Sequence, residues 1–262
     1  MEIRRWDRKQ SFGKGVYGIL IMMLVLEAVV LGRSVSGTTE NISISESAVA
    51  NGESQKDMEK KSGKNVGNVA GQENDTQSEP APRIALTFDD GPSIYTEKLL
   101  DGLKERGVKA TFFIIGESAE VYPEIVTREA AEGHIVGNHT YHHVEITKLS
   151  VTAAREEIEK TNEILEKLTQ KKTEYVRPPF GVWEEELEDL EMMSVMWTID
   201  PLDWTTKNAD EIVNKVVTQA EENDIILLHD CYKSSVQAAL RIIDILQSEG
   251  FEFVTVDQLF IE

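Results

Sequence analysis

The sequence predicts an α/β protein built on a parallel sheet, open or closed into a barrel. Two observations predict it. From Arg83 onward, short apolar runs alternate with longer amphipathic ones. Repeated strand-then-helix alternation over about 180 residues is the pattern of parallel strands joined by crossover helices. The polar residues hardest to explain as packing also fall where the apolar runs stop. In a parallel α/β sheet those stops share one face.

The chain begins differently. Arg4, Arg5, Arg8, Lys9 and Lys14 precede the run VYGILIMMLVLEAVVLG at 16–32, interrupted only by Glu27. A basic flank followed by an apolar stretch is the pattern of export. The run is close to the roughly 17–25 residues that cross a bilayer. Residues 1–33 are therefore read as a single-pass membrane anchor with the basic end in the cytoplasm and the rest of the chain extracytoplasmic. The alternative is a signal segment cleaved near Ser34–Ser36, which would release a secreted protein. Residues 34–82 are rich in Ser, Asn, Gly, Glu, Lys and Gln and contain no aromatic residue. Such a stretch buries too little apolar surface to offset its ordering entropy, and is read as a flexible linker.

Within 83–262 the predicted strands are Ile84–Phe88, Thr111–Ile115, Ile135–Asn138, Tyr175–Arg177, Ser194–Ile199, Ile225–Leu228 and Phe253–Thr255. Each is short, apolar and bounded by polar or turn residues. The predicted helices are Ile94–Arg106, Ser118–Glu132, Thr152–Thr169, Glu184–Met192, Ala209–Glu221 and Ser235–Glu249. Gly107, Gly133 and Gly250 follow amphipathic stretches as C-terminal stops.

Charge and cysteine content narrow the function. The formal net charge is −20, and from Arg83 to Glu262 there are 17 Lys+Arg against 36 Asp+Glu. That excludes nucleic acid and an anionic lipid surface as main partners. The single cysteine, Cys231, excludes an internal disulfide framework. It is read as a small buried residue rather than a nucleophile. Four of the five histidines, His134, His139, His142 and His143, lie within ten residues.

The strand stops carry Asp89 and Asp90, His139, Arg177, Asp200 and Asp203, and His229 and Asp230. Two adjacent residues leaving a strand point in different directions, so Asp89 and Asp90 can have different tasks, one toward a cation and one toward a substrate. His139 and His143 are spaced i, i+4. On a helix they would share a face, and facing a strand-end aspartate they form a metal-ligand pattern. His142 is read as a neighbour and His134 as structural.

Five ordered blocks, TFDDGP (Thr87–Pro92), HTYHH (His139–His143), RPPFG (Arg177–Gly181), DPLDW (Asp200–Trp204) and LLHD (Leu227–Asp230), resemble the polysaccharide deacetylases, carbohydrate esterase family 4 with its NodB homology domain. The resemblance covers Arg83 to about Phe260. It implies a distorted (β/α) barrel of about seven parallel strands. It implies Asp90, His139 and His143 as ligands of a divalent metal, zinc first, with cobalt, manganese or nickel as alternatives. Two imidazoles and one carboxylate leave coordination positions open. The same set suits a non-haem iron oxygenase, so ligand type alone does not decide the chemistry.

Asp89 would be the general base, with Arg177 fixing its orientation. His229 would be the general acid, with Asp203 orienting it. The backbone N–H of Phe180 would help hold the oxyanion, and Trp204 and Leu227 would wall a slot for the acetyl methyl. The family often has Tyr where Phe180 stands, which removes a side-chain hydrogen bond but not the backbone donor. The implied partner is an N-acetylated polysaccharide such as peptidoglycan or a chitin-like polymer, and the implied reaction is release of acetate from nitrogen. The rival readings are an O-acetyl xylan esterase and a non-catalytic glycan-binding module on the same fold.

Overall fold

The structure is a computed structural model that describes residues 80–183 and 185–260. The membrane anchor expected at 1–33 and nearly all of the flexible linker expected at 34–82 lie outside the described residues. Among the described residues, no helix is long and apolar enough to cross a membrane.

The element order is β1 (Arg83–Gly91), α1 (Thr96–Glu105), β2 (Thr111–Ile114), α2 (Gly116–Val121), α3 (Pro123–Ala131), β3 (Ile135–Asn138), α4 (Val151–Thr169), β4 (Tyr175–Val176), β5 (Met193–Ser194), α5 (Ala209–Val217), β6 (Ile225–His229), α6 (Lys233–Ser248), β7 (Glu252–Val254) and α7 (Val256–Leu259). The seven strands are all parallel, in the order β5-β4-β3-β2-β1-β6, with β7 also on β1. Ala85 of β1 pairs with both Ile225 of β6 and Val254 of β7, so those strands flank it on opposite edges. The β7 pairing ends at Ala85, and β2 takes over the same edge from Thr87.

The sheet curls. The segment 193–199 begins as β5 against β4, and its other end pairs with β6 through Thr198 N–H to Ile225 O at 2.9 Å and Leu227 N–H to Ile199 O at 2.9 Å. One segment therefore touches both edges of the sheet, which gives the distorted half-barrel. It also explains why the predicted strand Ser194–Ile199 is regular only at its start.

Side-chain parity sorts the two faces of the curl. Ile84, Leu86 and Phe88 of β1, Phe112 and Ile114 of β2, and Ile226 and Leu228 of β6 pack with Leu99, Leu103, Val126, Ile242 and Ile243 of the covering helices. Ala85, Phe113, Ile135, Tyr175, Val195 and Ile225 form a second cluster on the inner face. Both faces are covered, so the strands read as nearly continuous apolar runs, as in other parallel sheets.

The expected helix Ser118–Glu132 is two helices, because Pro123 has no N–H to continue the first and opens the second at its N1 position. The expected helix Glu184–Met192 is a short 3₁₀ segment at Glu185–Leu190. The three glycine stops are left-handed, with φ of +66°, +85° and +95° at Gly107, Gly133 and Gly250.

Candidate active site

The C-terminal ends of β1, β3, β4 and β6 meet on one face, and the inner parity carries the functional side chains there. Asp89 is level with Phe113 of β2 on one edge and with His229 of β6 on the other. Asp90, of opposite parity, should point away. It does not, because its backbone is left-handed with φ of 68°, which returns its carboxylate to the cluster. Left-handed backbone at a non-glycine residue costs on the order of 1 kcal/mol or more, and the surrounding contacts hold it.

His139 and His143, spaced i, i+4, are brought together without a helix. They lie in the loop after β3, and left-handed residues at Thr140 and His143, with φ of 63° and 54°, fold it back on itself. Asn138 Oδ1 accepts from Thr140 N–H at 2.7 Å. Glu157 of α4 accepts from the N–H groups of Tyr141 and His142 at 3.1 and 2.8 Å. The His142 ring also pairs with Glu157, at 2.7 Å, and so turns outward as a neighbour.

One oxygen of Asp90, Oδ1, lies 3.4 Å from His139 Nε2 and 3.3 Å from His143 Nε2. One potential ligand atom from each of these three residues lies within 4.8 Å of the others. The donor set fits a divalent cation on two grounds. Asp90 Oδ1 is buried with no hydrogen-bond partner. His139 Nδ1 lies 2.6 Å from Arg177 O, a carbonyl that only accepts, so Nδ1 carries the ring proton and the Nε2 lone pair faces the carboxylate. A cation between these atoms would satisfy both. Burial outweighs the pull of Asp90 and keeps His143 below its ordinary value, as a neutral ligand requires. Burial opposes ionisation of Asp90, but the imidazoles around it, that of His139 foremost, hold it below its ordinary value.

Asp89 stands beside this cluster with Oδ2 3.7 Å from His139 Nε2. Its other oxygen accepts from Arg177 Nη1 at 2.8 Å. Arg177 is completely buried. It donates further to Thr87 Oγ1, Val195 O and Met196 O at 2.8, 3.0 and 3.2 Å, and its Cζ lies 4.2 Å from the Phe113 ring centroid. Gly137 makes room for that stack, since a Cβ there would sit 2.8 Å from the Phe113 ring.

On the other side, Asp90 Oδ2 lies 4.0 Å from His229 Nε2. His229 Nδ1 bonds Asp203 Oδ1 at 2.7 Å, and Asp203 Oδ2 accepts the His229 backbone N–H at 2.9 Å. Burial lowers the His229 pKa, but the hydrogen bond and charge of Asp203, with the charges of Asp89 and Asp90, raise it to about 9. With no cation bound, the imidazolium form is favoured at neutral pH. A carboxylate with a free oxygen and a charged imidazole therefore flank one cation-ready cluster.

The expected substrate contacts are at the rim. The Phe180 ring is 5.1 Å from that of His143 and is exposed, and its backbone φ is 61°. Trp204 is exposed beside Asp203, whereas Leu227 is buried on β6. Asp200 caps a turn, accepting from Leu202 N–H at 2.8 Å. Burial, then the charges of Asp90, Asp230 and Asp203, push the Cys231 thiol far up, so it stays protonated and is no nucleophile. His134 is structural: it is buried, and its Nδ1 accepts from Ala110 N–H at 3.0 Å. Sequence reasoning missed Thr87 and Glu157. Thr87 was visible as a polar residue of inner parity inside an apolar strand. Nothing in the sequence marks Glu157 among the acids of α4.

The polysaccharide deacetylase family profile matches residues 76–194. A peptidoglycan-N-acetylglucosamine deacetylase of Bacillus cereus is 42% identical over 186 residues, 68% of each chain. The peptidoglycan-N-acetylmuramic acid deacetylase PdaC of Bacillus subtilis is 43% identical over 178 residues, and the match spans 67% of this chain but only 38% of that one. The solved structure of PdaC superposes with a TM-score of 0.67 at 42% identity, covering 68% of this chain and 90% of the solved one.

Proposed function

Since the chain belongs to the polysaccharide deacetylase family, we propose that it removes N-acetyl groups from the glycan strands of peptidoglycan, with N-acetylglucosamine as the preferred sugar, and that it does so with a bound divalent metal, zinc first. The observation that carries this reading is the pairing of Arg177-locked Asp89 with Asp203-charged His229 across the Asp90–His139–His143 cluster.

Asp90, His139 and His143 hold the cation, which when bound polarises the amide carbonyl and makes water more acidic. Asp89 Oδ2, free of Arg177, takes the proton as water adds to the carbonyl carbon. Arg177 keeps that carboxylate aimed. His229 delivers its proton to the departing nitrogen as the C–N bond breaks, leaving a free amine on the sugar and acetate. Asp203 keeps the ring charged and fixes which nitrogen faces the substrate. The Phe180 N–H aids the oxyanion, and Trp204 and Leu227 contact the acetyl methyl. The base and the acid are both present, which favours catalysis over a binding module.

The sequence of residues 1–33 supports a membrane-anchored, extracytoplasmic enzyme. Fractionation with protease accessibility in intact cells tests that part. The activity is tested by acetate release from peptidoglycan, chitooligosaccharides and acetylxylan with the metal-loaded full chain. Release from peptidoglycan is expected. Release from acetylxylan alone would reassign the protein as an esterase, and release from none would leave a binding module.

A further inference from the structure

Two motif residues have no part in that chemistry: Gly91 of TFDDGP and Asp230 of LLHD. They lie against each other. Asp230 is completely buried, and its Oδ2 accepts a hydrogen bond from the hydroxyl of Thr96, the first residue of α1. The same Thr96 oxygen accepts from Ser93 N–H at 2.8 Å. Ser93 Oγ donates to the Asp230 backbone carbonyl at 2.9 Å and accepts from Tyr95 N–H at 3.0 Å. The turn 90–96 is thus fastened to the end of β6 through one acid. The carboxylate also fills the space beside Gly91. A Cβ at residue 91 would lie 2.4 and 2.6 Å from its two oxygens, closer than real contacts allow. Immediately before Gly91 stands Asp90 with its left-handed φ of 68°. Immediately before Asp230 stands His229.

We propose that Asp230 is a positioning residue: its buried carboxylate, bonded to Thr96 and seated against Gly91, fastens the turn that carries Asp90 to the strand end that carries His229, and so sets the spacing between the metal ligand and the general acid. The proposal rests on the metal-dependent reading of the site. Glycine at 91 and aspartate at 230 are then one device, since the first clears the space that the second occupies. Burial pushes the Asp230 pKa up to about 7, so a neutral amide of the same shape is a fair replacement.

The test uses the full chain in four forms beside wild type: Asp230→Ala, Asp230→Asn, Gly91→Ala and Gly91→Ala/Asp230→Ala. Two quantities are read: cobalt(II) affinity from its visible absorption, and amide hydrogen exchange at Ser93 and Tyr95. Asp230→Ala is expected to lose about 10- to 100-fold in cobalt affinity, the usual effect of removing a partner behind the ligands. Exchange at both amides should quicken at least about tenfold, and kcat should fall while KM holds. Asp230→Asn should stay within about threefold of wild type on both readouts. The double variant should be no worse than Asp230→Ala alone, because the clash disappears with the carboxylate.

Wild-type affinity and exchange in Asp230→Ala would overturn the proposal, as would additive losses from Gly91→Ala and Asp230→Ala. If Asp230→Ala fails to fold, Thr96→Val removes only the hydroxyl, and unchanged exchange in it would overturn the proposal equally. A wild-type chain that binds no cobalt would sink the metal reading instead, and the exchange data would still judge the fastening.

Discussion

Arg177 donates to Asp89 at 2.8 Å from a position with no solvent exposure at all. Around it the guanidinium also meets a threonine hydroxyl and two backbone carbonyls of the 195–196 segment. A lysine has no planar fork with which to make those bonds. Arg177→Lys is therefore expected to leave buried carbonyls unpaired and Asp89 loosely held. Breaking a buried pair in this way typically costs about 3–5 kcal/mol. Urea unfolding should show a loss in that range, and kcat should drop by at least about 100-fold. A variant of wild-type stability would mean that the pair is dispensable to the fold.

Asp89 touches the cation cluster only from its flank, through an oxygen 3.7 Å from His139 Nε2. Asp89→Asn keeps the shape and the Arg177 contact but cannot take a proton. Turnover should fall by about 10²–10⁴-fold, while cobalt affinity stays within a few-fold of wild type. Parallel calorimetry and acetate assays separate the two. Loss of metal together with activity would make Asp89 a ligand rather than the base.

His139 is nearly buried and its Nδ1 is committed to Arg177 O, so its only free valence faces Asp90. His139→Ala should lower cobalt affinity more than His143→Ala, whose ring is one-third exposed. Chelation should silence the wild type, and zinc or cobalt should restore it. Equal losses from the two variants, measured by visible absorption, would contradict the ranking.

Much of this site was legible before any coordinates, because parallel strands buried on both faces leave few places for polar residues. Asp89, Arg177 and His229 stood out as charges at the ends of apolar runs, and inner parity alone carries them to one face. Asp90 and His143 illustrate what was not legible. Their left-handed backbones are imposed by tertiary contacts, and local sequence offers only the default that left-handed residues are glycine. The loop path that brings His139 and His143 together was hidden for that reason. The carbonyls of Val195 and Met196 that cradle Arg177 were invisible because every residue has one. Pro123, by contrast, was a visible signal that the expected helix Ser118–Glu132 passed over.

His229 gives the pH dependence its sign. In the cation-free protein its folded value is about 9 against an ordinary 6.5, set by Asp203 against the opposing effect of burial. A base whose folded pKa is raised stabilises the fold fully below its unfolded value, and that stability is lost as pH rises through the folded one. The thermal midpoint of the cation-free chain should therefore decline between about pH 6.5 and 9, by an amount on the order of 3 kcal/mol or less in stability. His229→Gln should flatten that decline. Asp203→Asn leaves burial unopposed by its strongest partner, so the ring should titrate well below 9, as read by NMR of the imidazole protons. Loading a cation adds positive charge near Asp90, 4.0 Å from the ring, and should bring His229 down. The basic limb of kcat/KM in the loaded enzyme is then expected below pH 9 and should shift further down in Asp203→Asn. A limb that ignores Asp203 would show that some other group donates the proton.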